Sequence, residues 1–530
     1  MQTLENVLKK WEPVIGLEIH TELTTLETKM FCGCKLEFGA EPNTNTCPVC
    51  LGLPGALPVP NKAAIESIVL AGLATNCEIE KDTMFYRKNY MYPDMAKNFQ
   101  TTQGPLAFCM RGHLDLEIDG KGADERYGID DVKVGEDFEN ITRREGGYVA
   151  HVGITRIHME EDAGKMVHIG GSEGRIAGAT HSLVDYNRAG TPLMELVTEP
   201  DLRTPEEARR FMQKLRQIYL TLGISNCSME EGSMRCDGNI SLRRRGTHEL
   251  GTKTELKNLN SFKSLHDGLM YEILRQADVL DEGGVIYQET RHWDPSAKRT
   301  IVMRVKETAD DYRLFPEPDL APYHLSDEFI ERVRAKLPEL PDEMAARIKD
   351  AYGLSAYDAS HLVEHRATAS LFDAAASLIP DDASASQLAL VAKQLANFII
   401  NDVTAWLNAE PDVDLVSSPL TPERLFELSM LLVDETISSK QAKEVFTAII
   451  DEDKDPREIV AERGMEQVSD AGAIEAVIDS VLAENSDKVD QYRGGKTGLI
   501  GFFVGQCMKA MQGQGNPKLI NEMLEKKLSE

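Results

Sequence analysis

Met234-Arg-Cys-Asp-Gly-Asn-Ile-Ser-Leu242 alternates in chemistry from one residue to the next. Met234, Cys236, Ile240 and Leu242 share one side of an extended chain, and Arg235, Asp237, Asn239 and Ser241 share the other. A strand covered on both faces reads as a continuous apolar run, so this pattern predicts an antiparallel sheet packed on one side only. Val14-Ile-Gly-Leu-Glu-Ile-His-Thr21 repeats it, with Ile15, Leu17 and Ile19 opposite Glu18 and His20. Ile154 to Glu160 brings Arg156, His158 and Glu160 together, and Thr252 to Asn258 does the same for Lys253, Glu255 and Lys257. Glu161 falls on the other side from Glu160 unless the strand ends or bulges there. A face that merely meets water carries Thr, Lys, Ser and Glu in no special order. Here His, Glu, Asp, Asn, Arg and Lys converge, which is the side-chain inventory for metal and phosphate.

Two acidic pairs sharpen that reading. Met159-Glu-Glu161 lies within His158 to Lys165, and Met229-Glu-Glu231 precedes Gly232-Ser-Met-Arg235. Adjacent carboxylates repel and are costly to desolvate without a cation between them. Mg²⁺ takes oxygen ligands and leaves room for nucleotide phosphates, so the pairs suggest a Mg-dependent phosphoryl-transfer site; the competing reading is two solvated turns.

Four of the nine cysteines crowd together as Cys32-Gly-Cys34 and Cys47-Pro-Val-Cys50. Without a secretory signal this spacing reads as metal rather than disulfide. Four thiolates make a tetrahedral Zn²⁺ cage with no open position, hence a structural site.

The 530 residues predict two to four domains. No apolar run approaches a membrane span, and the first residues lack a targeting pattern, so a cytoplasmic protein with no membrane partner is expected. The net charge of -29 argues against broad, non-specific binding to nucleic acid, and no DNA partner is expected. The last 38 residues, Arg493 to Glu530, run the other way, with six Lys/Arg against three Glu. Helices are predicted over Lys62–Thr75, from a Thr204 cap to a Gly223 stop, and over Phe262–Leu280. After about residue 325 strand alternation gives way to Ala/Leu/Glu-rich helical texture. Gly494-Gly-Lys-Thr-Gly498 is not a phosphate loop: Gln491 stands where a glycine is needed, and no strand precedes it.

Leu183-Val-Asp-Tyr-Asn-Arg-Ala-Gly-Thr-Pro-Leu-Met-Glu-Leu-Val-Thr-Glu-Pro200 resembles the GatB/GatE family of tRNA-dependent amidotransferases. The resemblance extends to Ile15–His20, Arg87-Lys-Asn-Tyr90, His158–Lys165, Met229–Asp237, Glu255–Ser261, Asp311–Asp319, Ile437–Lys443 and Gly505–Lys509, essentially the whole chain. Asp310 to Pro322 runs straight into the helical part without the large inserted domain of the archaeal branch. That favours the bacterial branch, the B subunit of aspartyl/glutamyl-tRNA(Asn/Gln) amidotransferase.

The resemblance implies an α+β fold: a glutamine-synthetase-like cradle with a large antiparallel sheet over residues 1–324, carrying a zinc-binding insertion at 30–52. An all-α domain at 325–455 and a small YqeY-like helical tail at 456–530 would follow. It implies a carbon–nitrogen ligase reaction with glutamine as nitrogen donor, carried out by a heterotrimer. An amidase subunit, the A component, would release ammonia. A small linker subunit, the C component, would hold the two large ones together. The family to which this chain is similar binds ATP, Mg²⁺ and misacylated Glu-tRNA(Gln) or Asp-tRNA(Asn), and activates the free carboxylate as an acyl phosphate. On that basis Glu18, His20, Glu160, Glu161, Glu230 and Glu231 are catalytic candidates, with Glu18, His20, Glu161 and Glu231 as Mg²⁺ ligands. Cys32, Cys34, Cys47 and Cys50 would hold Zn²⁺. Arg188, Arg235, Lys253 and Lys257 are candidates for ATP phosphates, and Asp185, Asn187, Asp237, Asn239 and Asn258 for positioning. Lys88, Asn89, Tyr90 and Tyr92 would line the ammonia route, and Lys496, Lys509 and Lys518 would touch tRNA. Pro93-Asp-Met-Ala-Lys-Asn-Phe-Gln100 departs from the family's Pro-Asp-Leu-Pro-Lys-Gly-Tyr-Gln, so Ala96 loses a backbone restraint and Phe99 a hydroxyl. Two rival readings are a non-catalytic tRNA-binding scaffold with structural zinc, and a zinc hydrolase.

Overall fold

Capping chemistry sets the helix that the sequence delimits most sharply. Thr204 accepts a hydrogen bond from the Glu207 amide, Pro205 opens the helix, and Gly223 closes it in the left-handed conformation (φ 67°). The computed structural model describes residues 2–120, 122, 126, 140–170, 178–305, 312–410, 413–466, 471–511 and 515–529; Asp310 and Asp311 lie outside them.

In chain order the elements that build the site are β1 (Trp11–Glu22), α1 (Lys62–Ala74), β2 (Phe85–Asn89), β3 (Phe99–Gln103), β4 (Cys109–Asp119), β5 (Gly147–Glu161), β6 (Pro192–Thr198), α2 (Pro205–Leu222), β7 (Met234–Arg244), β8 (Thr254–Lys257), α3 (Phe262–Asp281), β9 (Glu289–Asp294), β10 (Arg299–Val305) and β11 (Phe315–Pro316). The strands belong to a sheet that counts 13 strands among the described residues, with the path β10-β9-β8-β7-β1-β6-β5-β3-β2-β11 and β4 paired to β5 from Gly147 to Ile157. The pairings along it are antiparallel except β8 with β9. The expected large antiparallel sheet is present, and this parallel pair makes it mixed. The pair's cause is α3: a helical crossover returns the chain to the same end of the sheet, which forces a parallel neighbour.

The apolar faces predicted from alternation are buried. Ile15, Leu17, Ile19, Met234, Cys236, Ile240 and Leu242 join a core built with α1, α2 and α3. The helices cover one face and leave the polar one open. Packing is close where α1 meets β4: a Cβ on Gly72 would lie 2.3 Å from Cys109 Sγ. Gly72→Ala is therefore expected to destabilise the fold by about 1–3 kcal/mol in a denaturant titration, since the clash is with a buried cysteine and not a flexible surface chain.

Two compact units divide the chain, Met1–Leu340 and Pro341–Glu530. Leu325, Ile330 and Val333 pack into the first core, and Glu66 on α1 pairs with Arg332 and Lys336. The second unit is helical, with two cores among the described residues. Ile459 and Val460 belong to the larger, and Ile474, Phe503, Cys507, Ile520 and Leu524 to the smaller. Helix Ser486–Arg493 precedes Gly494-Gly-Lys-Thr-Gly498, in keeping with its exclusion as a phosphate loop.

Candidate active site

Cross-strand register assembles the polar face. His20 on β1 lies opposite Glu195 on β6, and Glu195 lies opposite His158 on β5. Arg235 on β7 flanks His20 from the other side. His20 Nε2 stands 3.2 Å from Glu195 Oε2 and 3.9 Å from Glu160 Oε1. His158 Nε2 is 3.5 Å from Glu195 and 3.8 Å from Glu160. Glu160 also accepts a hydrogen bond from Thr102 on β3 at 3.1 Å. Both carboxylates are buried.

Their electrostatics are mutual. Burial favours neutral Glu195, but His158 and His20 outweigh it and hold its carboxyl well below the usual carboxylate range. Burial pulls the His20 imidazole down; its hydrogen bond to Glu195 and the Glu160 charge more than offset that and raise it. One ligand atom each from His20, Glu160 and Glu195 fall within 4.8 Å of one another. Oxygen ligands about 2.1 Å from one cation lie about 3–4 Å apart, so small side-chain rotations would close this set on a divalent ion.

Around this cluster the cations are already oriented. Buried Asp162 receives Arg188 Nη2 at 2.8 Å and Arg235 Nη2 at 2.6 Å, leaving other guanidinium N–H groups for a ligand. Burial opposes its charge, but the two arginines keep Asp162 ionised, while burial and the Asp162 charge push the neighbouring Glu22 carboxyl up. Lys257 is held by Asp237 at 2.5 Å and Glu255 at 3.2 Å. Asn239 donates to Glu18 at 2.9 Å. Lys253 is exposed just before β8, which begins at Thr254. Asn258, in the left-handed region (φ 67°), donates to the Trp293 carbonyl at 2.9 Å and so fastens β8 to β9.

The acidic pairs part company. Glu160 faces the histidines. Glu161, on the next position of β5, pairs with Lys97 and accepts from the Thr101 amide at 2.9 Å. Glu230 and Glu231 lie in an exposed turn, where Glu231 accepts from Asn226 at 3.0 Å. Glu18, Glu161 and Glu231 stand outside the His20–Glu160–Glu195 set. The register brings in Glu195 and His158 instead. The signal for Glu195 was present: it is the single charge in Pro192-Leu-Met-Glu-Leu-Val-Thr198, a strand otherwise without one. Asp162, Glu22 and Lys97 carried no comparable signal.

At the β2 end, Lys88 lies 5.0 Å from the Tyr312 ring and its charge reaches Glu195. Asn89 donates to the Tyr312 and Arg313 carbonyls. The Tyr90 and Tyr92 rings are 4.8 Å apart. Phe99 lies beneath Arg87 and Lys97, at 4.1 and 5.0 Å.

Asp185 and Asn187 point to the cysteine loop. Asp185 accepts from the Asn43 amide at 2.9 Å, and Asn187 from the Asn45 amide at 2.8 Å. The sulfurs of Cys32, Cys34, Cys47 and Cys50 lie within 4.8 Å of one another, and Cys47 and Cys50 are 3.9 Å apart. Four sulfurs at Zn–S distance in a tetrahedron are about 3.8 Å apart, so the cage fits a metal such as zinc. Cys32 hydrogen-bonded to it, with the Lys29 ammonium beside it, holds the Cys50 thiol low against burial. In the tail, Lys496 meets Gln491, Lys518 pairs with Glu435 at 3.2 Å, and Lys509 is exposed. No helix among the described residues is long and apolar enough to cross a membrane.

A one-sided sheet, helices on its apolar face and buried carboxylates, imidazoles and oriented cations on its open face, defines a protein of the α+β class. Residues 13–331 match the GatB/GatE catalytic domain and residues 383–528 the GatB domain. The B subunit of an aspartyl/glutamyl-tRNA(Asn/Gln) amidotransferase from a Geobacter species is 48% identical over 98% of this chain and 99% of its own length. Its namesakes in Carboxydothermus hydrogenoformans and Persephonella marina are 46% and 44% identical, each over 98% of this chain and the whole of the relative. The chain belongs to the GatB/GatE family.

Proposed function

We propose that this chain is the amidating component of a tRNA-dependent amidotransferase, working in the cytoplasm with an amidase partner and a small linker protein. Its substrates are ATP and Glu-tRNA(Gln) or Asp-tRNA(Asn). The side-chain carboxylate attacks the γ-phosphorus, the bond to ADP breaks, and the acyl phosphate forms. Ammonia from the partner then attacks the carbonyl carbon, phosphate leaves, and the nitrogen loses a proton to give the amide.

The observation that carries this reading is the convergence of His20, Glu160 and Glu195, with Arg235 opposite His20 on β7 and Arg188 joined to Arg235 through Asp162. A carboxylate and ATP bring several anions together, and the site supplies the opposite charge. A Mg²⁺ ion held by Glu160, Glu195 and His20 would neutralise phosphate charge and polarise the phosphoryl group when bound. Arg188 and Arg235, locked by Asp162, are placed to hold phosphate oxygens without paying for reorganisation. Glu18, kept in place by Asn239, and Lys257, kept by Asp237, extend the polar face toward β8 and β9. Glu161 and Lys97 form a charged pair at the end of β5 nearest Lys88, Asn89, Tyr90 and Tyr92, a side from which ammonia would arrive. Glu230 and Glu231 are assigned to the rim, on the exposed turn whose end is hydrogen-bonded to the end of β1. The tail lysines Lys496, Lys509 and Lys518 are assigned to the tRNA backbone.

The test is direct. The chain, purified with its partner proteins, is offered each misacylated tRNA with γ-labelled ATP. Label transfer dependent on the charged tRNA, followed by amide formation on adding glutamine, is the expected result. Amide formation without ATP consumption would sink the reading, and would leave the chain a tRNA-binding scaffold.

A further inference from the structure

Among the described residues, Lys29 is the largest charged side chain buried to 0% exposure. A buried ammonium needs an acceptor for each of its three N–H groups and, in an apolar site, an anion nearby. It has three acceptors: the Asn45 carbonyl at 2.8 Å, the Tyr186 carbonyl at 3.0 Å and Cys50 Sγ at 3.8 Å. The first belongs to the cysteine loop, the second to the turn that carries Arg188, and the third to the cage itself. Four thiolates around a divalent ion leave two negative charges, and Lys29 is placed to compensate one of them.

The rest of the contact is equally two-sided. Asn43 donates to the Val184 carbonyl at 3.0 Å and accepts from the Tyr186 amide at 2.8 Å. Asn187 donates to the Glu41 carbonyl at 2.7 Å. Met30 donates to the Gly190 carbonyl at 2.8 Å. Gly190 sits at φ 89°, and a Cβ there would stand 3.4 Å from Lys29 Cδ, so the lysine stem runs directly over that backbone. The turn so held ends in Arg188, whose guanidinium meets Asp162.

We propose that Lys29 is a positioning residue that couples the four-cysteine cage to the Asp185–Arg188 turn, so that metal in the cage sets where Arg188 stands on the polar face. The ammonium is drawn to the charged cage and carries the Tyr186 carbonyl with it. The coupling stands apart from the reaction assigned above, because its test needs no substrate.

The test uses the full chain loaded with Co²⁺, whose thiolate charge-transfer band reports the cage. Lys29→Met, close in shape but uncharged, is expected to weaken Co²⁺ binding about 10- to 100-fold in chelator competition, the range for residues that support a metal ligand from behind. Unchanged affinity would overturn the proposal. Amide exchange on the unaltered chain decides independently of whether that variant folds. Stripping the metal is expected to deprotect peptides spanning 183–190 together with 30–52, while α2 and α3 stay protected. Deprotection confined to 30–52, or spread over the whole sheet, would refute the coupling.

Discussion

Glu195→Gln is expected to lower ATP-dependent amidation by at least about 100-fold, the upper end of what is lost when a residue merely supports a metal ligand. The substitution keeps shape and removes charge. In the unaltered chain Glu195 sits 3.2 Å from His20 and 3.5 Å from His158. A neutral amide there deprives a cation of one anionic ligand and leaves Glu160 as the remaining carboxylate of the set. The fold should hold, because the β6 ladder to β1 and β5 is made by backbone groups. The diagnostic is therefore a raised Mg²⁺ requirement in a chain that still unfolds cooperatively, at a somewhat lower temperature because the two imidazoles lose their anion. If Glu195→Gln turned over at the parental rate and Mg²⁺ dependence, the cluster would not be the cation site. Glu231→Gln makes the contrast: an exposed turn residue should cost far less in the chemical step, and its effect should fall on KM rather than kcat.

The second large effect is on stability. Glu272 on α3 is 0% exposed, and it accepts from Arg275 at 2.6 and 2.9 Å, Gln276 at 3.0 Å and Thr300 on β10 at 3.1 Å. Arg291 on β9 approaches it at 3.7 Å and is itself paired with Glu289. Glu272→Ala is expected to cost about 3–5 kcal/mol, because Arg275 loses its closest anion and two largely desolvated guanidinium groups are left to share Glu289. Denaturant unfolding measures it, and Glu272→Gln should fall between the parent and the alanine variant. A loss under about 1 kcal/mol, ordinary for a surface site, would mean the network relaxes into water. The residue matters to function indirectly, since it welds the crossover helix to the strands that extend the polar face past Lys257.

Much of the fold was legible because local chemistry is short-ranged. Thr204, Pro205 and Gly223 bound their helix by caps that involve neighbours three or four residues away. Alternation at Val14–Thr21 and Met234–Leu242 marks strands with one dry face, and the dry face is where the core lies. The four cysteines declare a cage by spacing and side-chain type alone. The parallel β8–β9 pair was not legible, because direction depends on where α3 delivers the chain and not on either strand's own residues.

The site divides along the same line. The sequence by itself determined the inventory: which strands carry charge on one side, that Glu160 and Glu161 face different ways, and to which family the motifs belong. Only the tertiary structure decided the partners. Glu195 meets His20 and His158 because β6 lies between β1 and β5 in a particular register, and register is set by hydrogen bonds between segments far apart in the chain. Glu230 and Glu231, which look like a twin of Glu160 and Glu161 on paper, fall in a turn beyond the end of β1. A repeated tripeptide specifies the same chemistry twice, but the sheet places only one copy beside the histidines.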